Sequence, residues 1–373
     1  MTGDPAILFL TKYGRRGPSS RYRVLQYIPH LEANGFRCDV RSLHDDAYLD
    51  ALFAGTGRSI LYHAYRFRER ARAVSAARGY AAVFVQKELA PGAPPVLERR
   101  LAASGVPVIY DIDDAIYLRY EESRNPLARR LLAGKIPEAL SFAAVVLAGN
   151  EHLASYASRW NPRTLLFPTV VDPAKYEAAR RAARGASHGR SEAAPVVVWI
   201  GTPDAARFID ECRDAISEAA ARRPFILRIV GAPAIAGSFP GAESVPWSEE
   251  TEAETLARSD IGIMPLPMNE WTKGKCGLKV LQYMASGLPV VASPTGGADR
   301  IVAHGETGFL ARTRGEWVER LVALLERPGL RWTMGERGAE RVREAWSLDL
   351  WAPRMAEVLS RCVRRERIEG LEW

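Results

Sequence analysis

The feature that most limits what this chain can fold into is an alternation. Short runs of aliphatic and β-branched residues are separated by amphipathic stretches of helical period. Candidate strands fall at 6–10, 37–42, 81–85, 107–111, 143–148 and 164–168, with helical segments at 21–33, 94–104 and 127–140. Strands that are apolar throughout and spaced by helices belong to parallel sheets covered on both faces. Residues 176–194 are rich in Arg, Ala, Gly and Ser and poor in large apolar side chains, as in a linker or a loose helix and loop. After them the alternation restarts at 195–201, 225–231, 244–247, 261–266 and 288–293. A chain of 373 residues exceeds one ordinary core and suits two. The pattern predicts an α/β protein with two doubly wound, Rossmann-like domains facing across a cleft. The first spans 1–174, a linker 175–194 and the second 195–347, with a charged C-terminal helix over 348–373 packing back on the first.

Composition narrows the function classes. The longest apolar stretch, Leu140 to Ala148, is interrupted by Ser141 and falls far short of the roughly 18 residues a membrane span needs. The first residues, Met1-Thr2-Gly3-Asp4-Pro5, lack the basic and apolar segments of a secretory signal. Cys38, Cys212, Cys276 and Cys362 are scattered without CxxC spacing, so neither a disulfide framework nor a zinc site is legible. A reducing cytoplasm is the expected location, with peripheral attachment to the inner membrane face left open. The net charge of +7 rests on 44 arginines against seven lysines, an excess that reads as codon bias. Attraction to anionic lipid or phosphorylated substrates is the alternative, with nucleic acid behind it. Against that background lysine is informative, and three of the seven fall within 273–279.

Parallel sheets bind ligands beyond the carboxyl ends of their strands, at loops that lead into helices. The strongest such segment runs from Lys273 to Ser293. A Gly/Lys loop opens a helix near Gly277, and Gly287 followed by Pro289 ends it. Lys279, Gln282 and Ser286 share a polar stripe, with Leu278, Leu281 and Ala285 on the packed side. A helix N-terminus flanked by Lys275 and Lys279 suits a diphosphate; a solvated loop before an amphipathic helix is the plainer reading.

The run Gly277-Leu278-x-x-Leu281-Gln282-Tyr283-Met284-Ala285-Ser286-Gly287-Leu288-Pro289-Val290-Val291-Ala292-Ser293, with Gly296-Gly297 and Gly305-Glu306-Thr307-Gly308-Phe309-Leu310, resembles the C-terminal signature of GT-B glycosyltransferases of the retaining family-4 type. Weaker likeness covers nearly the whole chain. Phe167-Pro-Thr-Val-Val-Asp172 looks like the family's interdomain segment and Val196–Gly201 like the first strand of its donor domain. The resemblance implies a GT-B fold, a nucleoside diphosphate sugar as donor, no cofactor and no metal, and closure of the domains over the donor.

The departures are specific. The family's paired glutamates, eight apart, fall at Gly274 and Gln282; Gln282 can still bind ribose hydroxyls through its amide, whereas Gly274 cannot contact the donor sugar. The family's Arg and Lys beyond the first donor strand correspond to Thr202 and Arg207, so Lys275 and Lys279 are expected to complete the phosphate clamp. Gly201, Gly296 and Gly297 complete the expected donor-binding set.

In the first half, Pro107-Val-Ile-Tyr-Asp-Ile-Asp-Asp114 ends a strand and releases Asp111, Asp113 and Asp114. Clustered carboxylates raise at least one pKa and occur at functional sites, though a helix N-cap also attracts acids. By resemblance Asp113 takes the place of the family's histidine beside the anomeric carbon. The YDxDDA segment with Gln86-Lys87-Glu88 upstream marks a variant subgroup, which brings Lys87 and Glu88 into the site. After the first strand, Ser19 or Ser20 can cap a helix whose first turn holds Arg21 and Arg23, where cations oppose the helix dipole. That placement suggests a nearby anion, donor phosphate or acceptor, unless these are surface arginines. His30, His44, His63, His152, His188 and His304 lack ligand spacing and are expected on surfaces or loops.

The reading is therefore a glycosyltransferase moving a sugar to an acceptor hydroxyl, with retention implied by resemblance, in glycan, glycolipid or natural-product glycoside synthesis. Asp113, Asp111, Asp114 and Lys279 are its expected catalytic residues. The other reading is a noncatalytic binder of nucleotide sugars or polyanions; a nucleic-acid protein is third, without a recognisable reader motif.

Overall fold

The computed structural model describes residues 4–186 and 194–366. Two parallel six-stranded sheets carry the fold. The first contains β1 (Ala6–Thr11), β2 (Arg37–Ser42), β3 (Ala82–Gln86), β4 (Val108–Ile112), β5 (Val145–Ala148) and β6 (Thr164–Leu166), in the order β2-β1-β3-β4-β5-β6. The second contains β7 (Val196–Ile200), β8 (Ile226–Val230), β9 (Glu243–Val245), β10 (Ile261–Met264), β11 (Val290–Ala292) and β12 (Gly308–Leu310), in the order β12-β11-β10-β7-β8-β9. Each order reverses direction once from its first strand, which makes both sheets doubly wound. Every residue of β1, β3, β4, β5 and β7 is buried, as parallel strands roofed by helices on both faces require.

The chain divides into two compact units, Met1–Thr169 with Gly274–Cys276 and Asp349–Trp373, and Val170–Lys273 with Gly277–Leu348. The segment expected as a linker over 175–194 is helical through Ala186, within Pro173–Ala186. Tyr176 of that helix is buried and its hydroxyl donates to Glu252 Oε1 at 2.9 Å; residues 187–193, His188 among them, lie outside the described residues. The helix Leu348–Arg364 belongs with the first unit from Asp349 onward.

Helix boundaries depart from the periodicity at proline and glycine. The stretch expected as one helix over 21–33 is Pro18–Arg23, a 3-10 turn at Leu25–Tyr27 and Ile28–Ala33. Pro29 lacks an N–H and would strike the carbonyl four residues back, so the chain restarts with proline in a first turn. The stretch 127–140 likewise divides into Pro126–Leu132 and Lys135–Phe142, with Pro137 in the new first turn. Two helices with no apolar stripe to announce them, Asp46–Phe53 and Ile60–Ser75, fill the interval between β2 and β3. The second presents Arg70, Ala73 and Val74 inward, a face that carries an arginine where a stripe needs an aliphatic residue.

Candidate functional site

In the second unit the chemistry gathers where β7 ends. The Trp199 side chain is fully buried, and the Lys279 ammonium stands 4.3 Å from its ring centroid. A Cβ on Gly201 would lie 2.5 Å from the Trp199 ring and 2.8 Å from Lys279 Nζ, so only glycine lets the lysine come this close to the strand end. Lys279 rides on the helix Leu278–Ala285, whose start is Gly277 with φ of 66° and whose end is followed by Gly287 with φ of 72°. One turn on, the Tyr283 hydroxyl accepts from Ile200 N at 2.9 Å and donates to Ile263 O at 3.2 Å, tying the helix to β7 and β10. Gly296 and Gly297 are also left-handed, at 63° and 78°, and Gly277 packs close to both. Left-handed glycines before a helix free backbone N–H groups for an anion.

The expected polar stripe of that helix needs correction. Gln282 and Ser286 are buried and Leu278 is half-buried, because the helix is enclosed by β10, β11 and the helix Pro328–Ala345. Gly201, Lys279, Gly277, Gly296 and Gly297 are brought together; Thr202 caps Pro203–Ala206 without a side-chain bond, and Arg207 is exposed with its guanidinium 5.1 Å from the Phe208 ring centre.

In the first unit, the three aspartates separate into two roles. Asp111 is not released beyond the strand: it is the fourth residue of β4, fully buried. Arg23 holds it with two donors, Nε at 3.1 Å and a shorter contact from Nη2, and also gives Nη1 to Phe167 O at 2.7 Å. Burial pushes the Asp111 carboxyl up to about 6, against the pull of Arg23. The anion that Arg23 was expected to find in a ligand is therefore Asp111, and neither group reaches the open strand end.

Asp113 and Asp114 do lie beyond β4. Lys87 Nζ is 3.4 Å from Asp113 Oδ1 and 3.6 Å from Asp114 Oδ2, and Lys275 Nζ is 3.1 Å from Asp114 Oδ2. Burial works against the charge on Asp114, yet Lys275 and Lys87 together hold its carboxyl below the usual range. Burial likewise opposes the Lys87 ammonium, but Asp113 and Asp114 keep it charged well above neutrality. Lys87 takes a left-handed backbone, φ 65°, that turns it from the end of β3 toward these acids. Asp113 Oδ1 is buried and accepts no hydrogen bond. Lys275, expected at a donor phosphate, is instead engaged with Asp114, and its loop is seated there. Its carbonyl accepts from Asn150 Nδ2 at 2.8 Å, and a Cβ at Gly274 would lie 2.6 Å from Ala115 Cβ. Residue 274 must thus be glycine for the loop to seat.

Glu88 also departs from its expected acceptor contact. It is enclosed with Lys135 at 3.2 Å, Lys12 at 3.6 Å and the Tyr120 hydroxyl at 2.5 Å, and Lys135 Nζ lies 3.9 Å from Glu98. Burial lowers the Lys12 ammonium to about 8, with Glu88 opposing the fall. Ser20 is buried mid-helix, donating to Gln86 Oε1 at 3.0 Å, and Gly17 stands at the N-cap instead. Arg21 is buried against Tyr22, with Nη1 on Arg15 O at 2.9 Å. Trp199 and Tyr283 lay inside the quoted motifs without being singled out, Asn150 lay in none, and only the scarcity of lysine could have flagged Lys12 and Lys135. Among the described residues no group of three or more His, Cys, Asp or Glu is arranged to hold a metal ion.

Comparison with known proteins bears on the second unit first. The family model described as Glycosyl transferases group 1 matches residues 194–327. Over residues 194–327 the chain is similar to a group 1 glycosyl transferase domain. That domain contains β7 to β12 and the whole Gly201–Lys279 cluster. Among curated relatives, the trehalose synthase of Pyrococcus horikoshii is 36% identical over 84 residues, 22% of this chain and 20% of that protein. The D-inositol 3-phosphate glycosyltransferase of Nocardia farcinica is 27% identical over 217 residues, 49% of this chain and 47% of that one. The chain thus spans less than half the length of the curated relatives it matches. Solved structures agree over almost the whole length. Sucrose-phosphate synthase from Thermosynechococcus elongatus superposes with a TM-score of 0.73 at 16% identity, covering 97% of this chain and all of that one. Anabaena HepE in complex with UDP and glucose gives 0.71 at 16% identity, covering 95% and 99%. The fold outside the group 1 domain is accordingly that of GT-B glycosyltransferases as well.

Proposed function

We propose that this protein is a glycosyltransferase, of the retaining family-4 kind and the variant subgroup with a YDxDDA segment, that moves a sugar from a nucleoside diphosphate sugar to an acceptor hydroxyl. The observation that carries the reading is the Lys279 ammonium at the end of β7, beside Gly201 and two residues past the left-handed Gly277. A fixed cation and a glycine-lined helix start suit the negative charge that grows on a departing diphosphate, and such preorganised stabilisation is commonly the largest catalytic contribution. HepE was solved with UDP and glucose, which supports a uridine diphosphate sugar as the first donor to try.

On the acceptor side, Asp113 Oδ1 has an acceptor lone pair to offer a sugar hydroxyl, and Lys87 keeps the carboxylate in place. Cation-based stabilisation dispenses with a metal cofactor. The partners in this reading are a sugar, lipid-linked or small-molecule acceptor, and not nucleic acid. Work would be done in the cytoplasm, with attachment at the inner membrane face for a lipid-linked acceptor. No helix among the described residues is long and apolar enough to cross a membrane.

The test is donor turnover. Purified protein incubated with a panel of nucleotide sugars should release nucleoside diphosphate, unaffected by a chelator, and the product anomer should keep the donor configuration by NMR. Binding without any release would leave the noncatalytic reading standing.

A further inference from the structure

Two buried arginines of the first unit differ in one respect. Arg23 meets a carboxylate, whereas Arg70, 3% exposed, has none among the described residues. Arg70 gives Nη2 to the carbonyl of Thr11, the last residue of β1, and its Nη1 is buried without a hydrogen bond. One turn earlier on the same helix, Arg66 gives Nε to Leu43 O at 2.5 Å and Nη2 to Ser42 O at 2.6 Å, at the end of β2. His44 completes the group, 5% exposed and stacked on Tyr48 with ring centres 4.0 Å apart, and its Nδ1 is a second buried atom without a partner.

The groups that act most strongly on His44 are cationic, while Asp45 beside it is engaged by the Tyr62 hydroxyl at 3.0 Å and Lys12 by Glu88 at 3.6 Å. His63, Lys12, Arg66 and Arg70 all act on His44, and with burial they lower it to about 4. Burial and Arg66 lower Arg70 to about 9. Like charges gathered in a buried place cost stability unless something neutralises them. Capping strand-end carbonyls explains three of the donors, but it explains neither the orphaned Nη1 nor the missing counter-charge. Tyr13, Tyr48 and Tyr62 are half-buried around the same histidine, so the place borders solvent on its aromatic side.

We propose that Arg66, Arg70 and His44 form a binding site for an oxyanion of the phosphomonoester class, held at the carboxyl ends of β1 and β2. The fork of Arg70 supplies a free N–H, and the arginine pair supplies the charge that such a group seeks. Its place in the sheet gives it a use, which rests on the glycosyltransferase reading: β2 is three strand spacings from β4, roughly 14 Å at ~4.8 Å each. An acceptor anchored here by a phosphate would extend along the strand ends toward Asp113. The substrate class is then a phosphorylated acceptor, soluble or at a lipid headgroup.

Inorganic phosphate is the probe, titrated calorimetrically into the full chain with UDP saturating so that the diphosphate site is occupied. Phosphate should still bind, and Arg70→Gln should weaken it about tenfold, as loss of one charged hydrogen bond predicts. Arg66→Gln, which leaves the buried position untouched, serves should Arg70→Gln misfold. Glucose 6-phosphate displacing phosphate would identify a soluble source, and phosphatidic acid vesicles displacing it a headgroup. No phosphate binding under saturating UDP, or binding unchanged in both arginine variants, overturns the site. UDP binding measured alone keeps the two readings apart: phosphate bound without UDP bound removes the donor reading and leaves the anion site.

Discussion

The carboxyl edges of the two sheets are built from the same kind of strand and meet charge in opposite ways. Around β3 and β4, acids and lysines are interleaved, Asp113 and Asp114 with Lys87 and Lys275, Glu88 with Lys12 and Lys135. Around β7 and β11 the strand ends carry glycines, a tryptophan face and Lys279. An edge that balances its own charge suits the reacting hydroxyl of an acceptor. An edge of glycines and a cation seated over a tryptophan ring suits a ligand that brings negative charge with it.

The largest effect should come from unbalancing the first edge. Lys135→Met leaves Glu88 short of its nearest cation in a fully buried place, and loss of about 3–5 kcal/mol is expected from the urea midpoint of unfolding. A fall under 1 kcal/mol would mean that Lys12 alone suffices. Next is the second edge: Lys279→Ala should lower turnover by about 10²–10³-fold with the melting temperature little changed. Unchanged kinetics in a folded variant would remove the diphosphate assignment. Smaller is Gly201→Ala, whose added methyl pushes on Trp199 and the Lys279 ammonium together; donor affinity by calorimetry should weaken about tenfold, through displaced contacts alone.

The smallest effect is a pH dependence. His44 titrates near 4 when folded and at its ordinary value near 6.5 when unfolded, with Lys12, His63, Arg66 and Arg70 around it. The unfolded chain takes up the proton first, so this contribution is present above pH 6.5 and is lost as pH falls toward 4. Discounted for solvent screening it amounts to about 1–2 kcal/mol. Melting curves across that window should be flatter for His44→Asn than for the parent chain, and parallel curves would remove His44 from the account.

Much of the architecture was legible because fully apolar runs such as Val196–Ile200 admit few other settings. The strand at Gly308–Leu310 escaped as a strand because two glycines and a three-residue span hide its period, although its motif was visible. Helix Ile60–Ser75 escaped for the reason that makes it interesting, an arginine on its inward face. For the site, spacing located Lys279 and the glycines, since a helix start fixes their geometry locally. It could not divide Asp111 from Asp113 and Asp114. Their partners Arg23, Lys87 and Lys275 stand 88, 26 and 161 residues away in the chain, and only folding decides which meets which. His44 lies in a loop, as expected, between β2 and the helix Asp46–Phe53, but it is buried there under rings contributed by residues 48 and 62.

Residues 274–276 have a practical consequence for anyone cutting or recombining this gene. A fragment excised at 169/170 and 348/349 would be continuous in sequence yet would carry that tripeptide away from Asp114, Ala115 and Asn150. Chimaeras that exchange the half holding the group 1 domain should therefore take 113–115, 150 and 274–276 from one parent. A graft that mixes them sets a foreign tripeptide against a socket shaped for glycine.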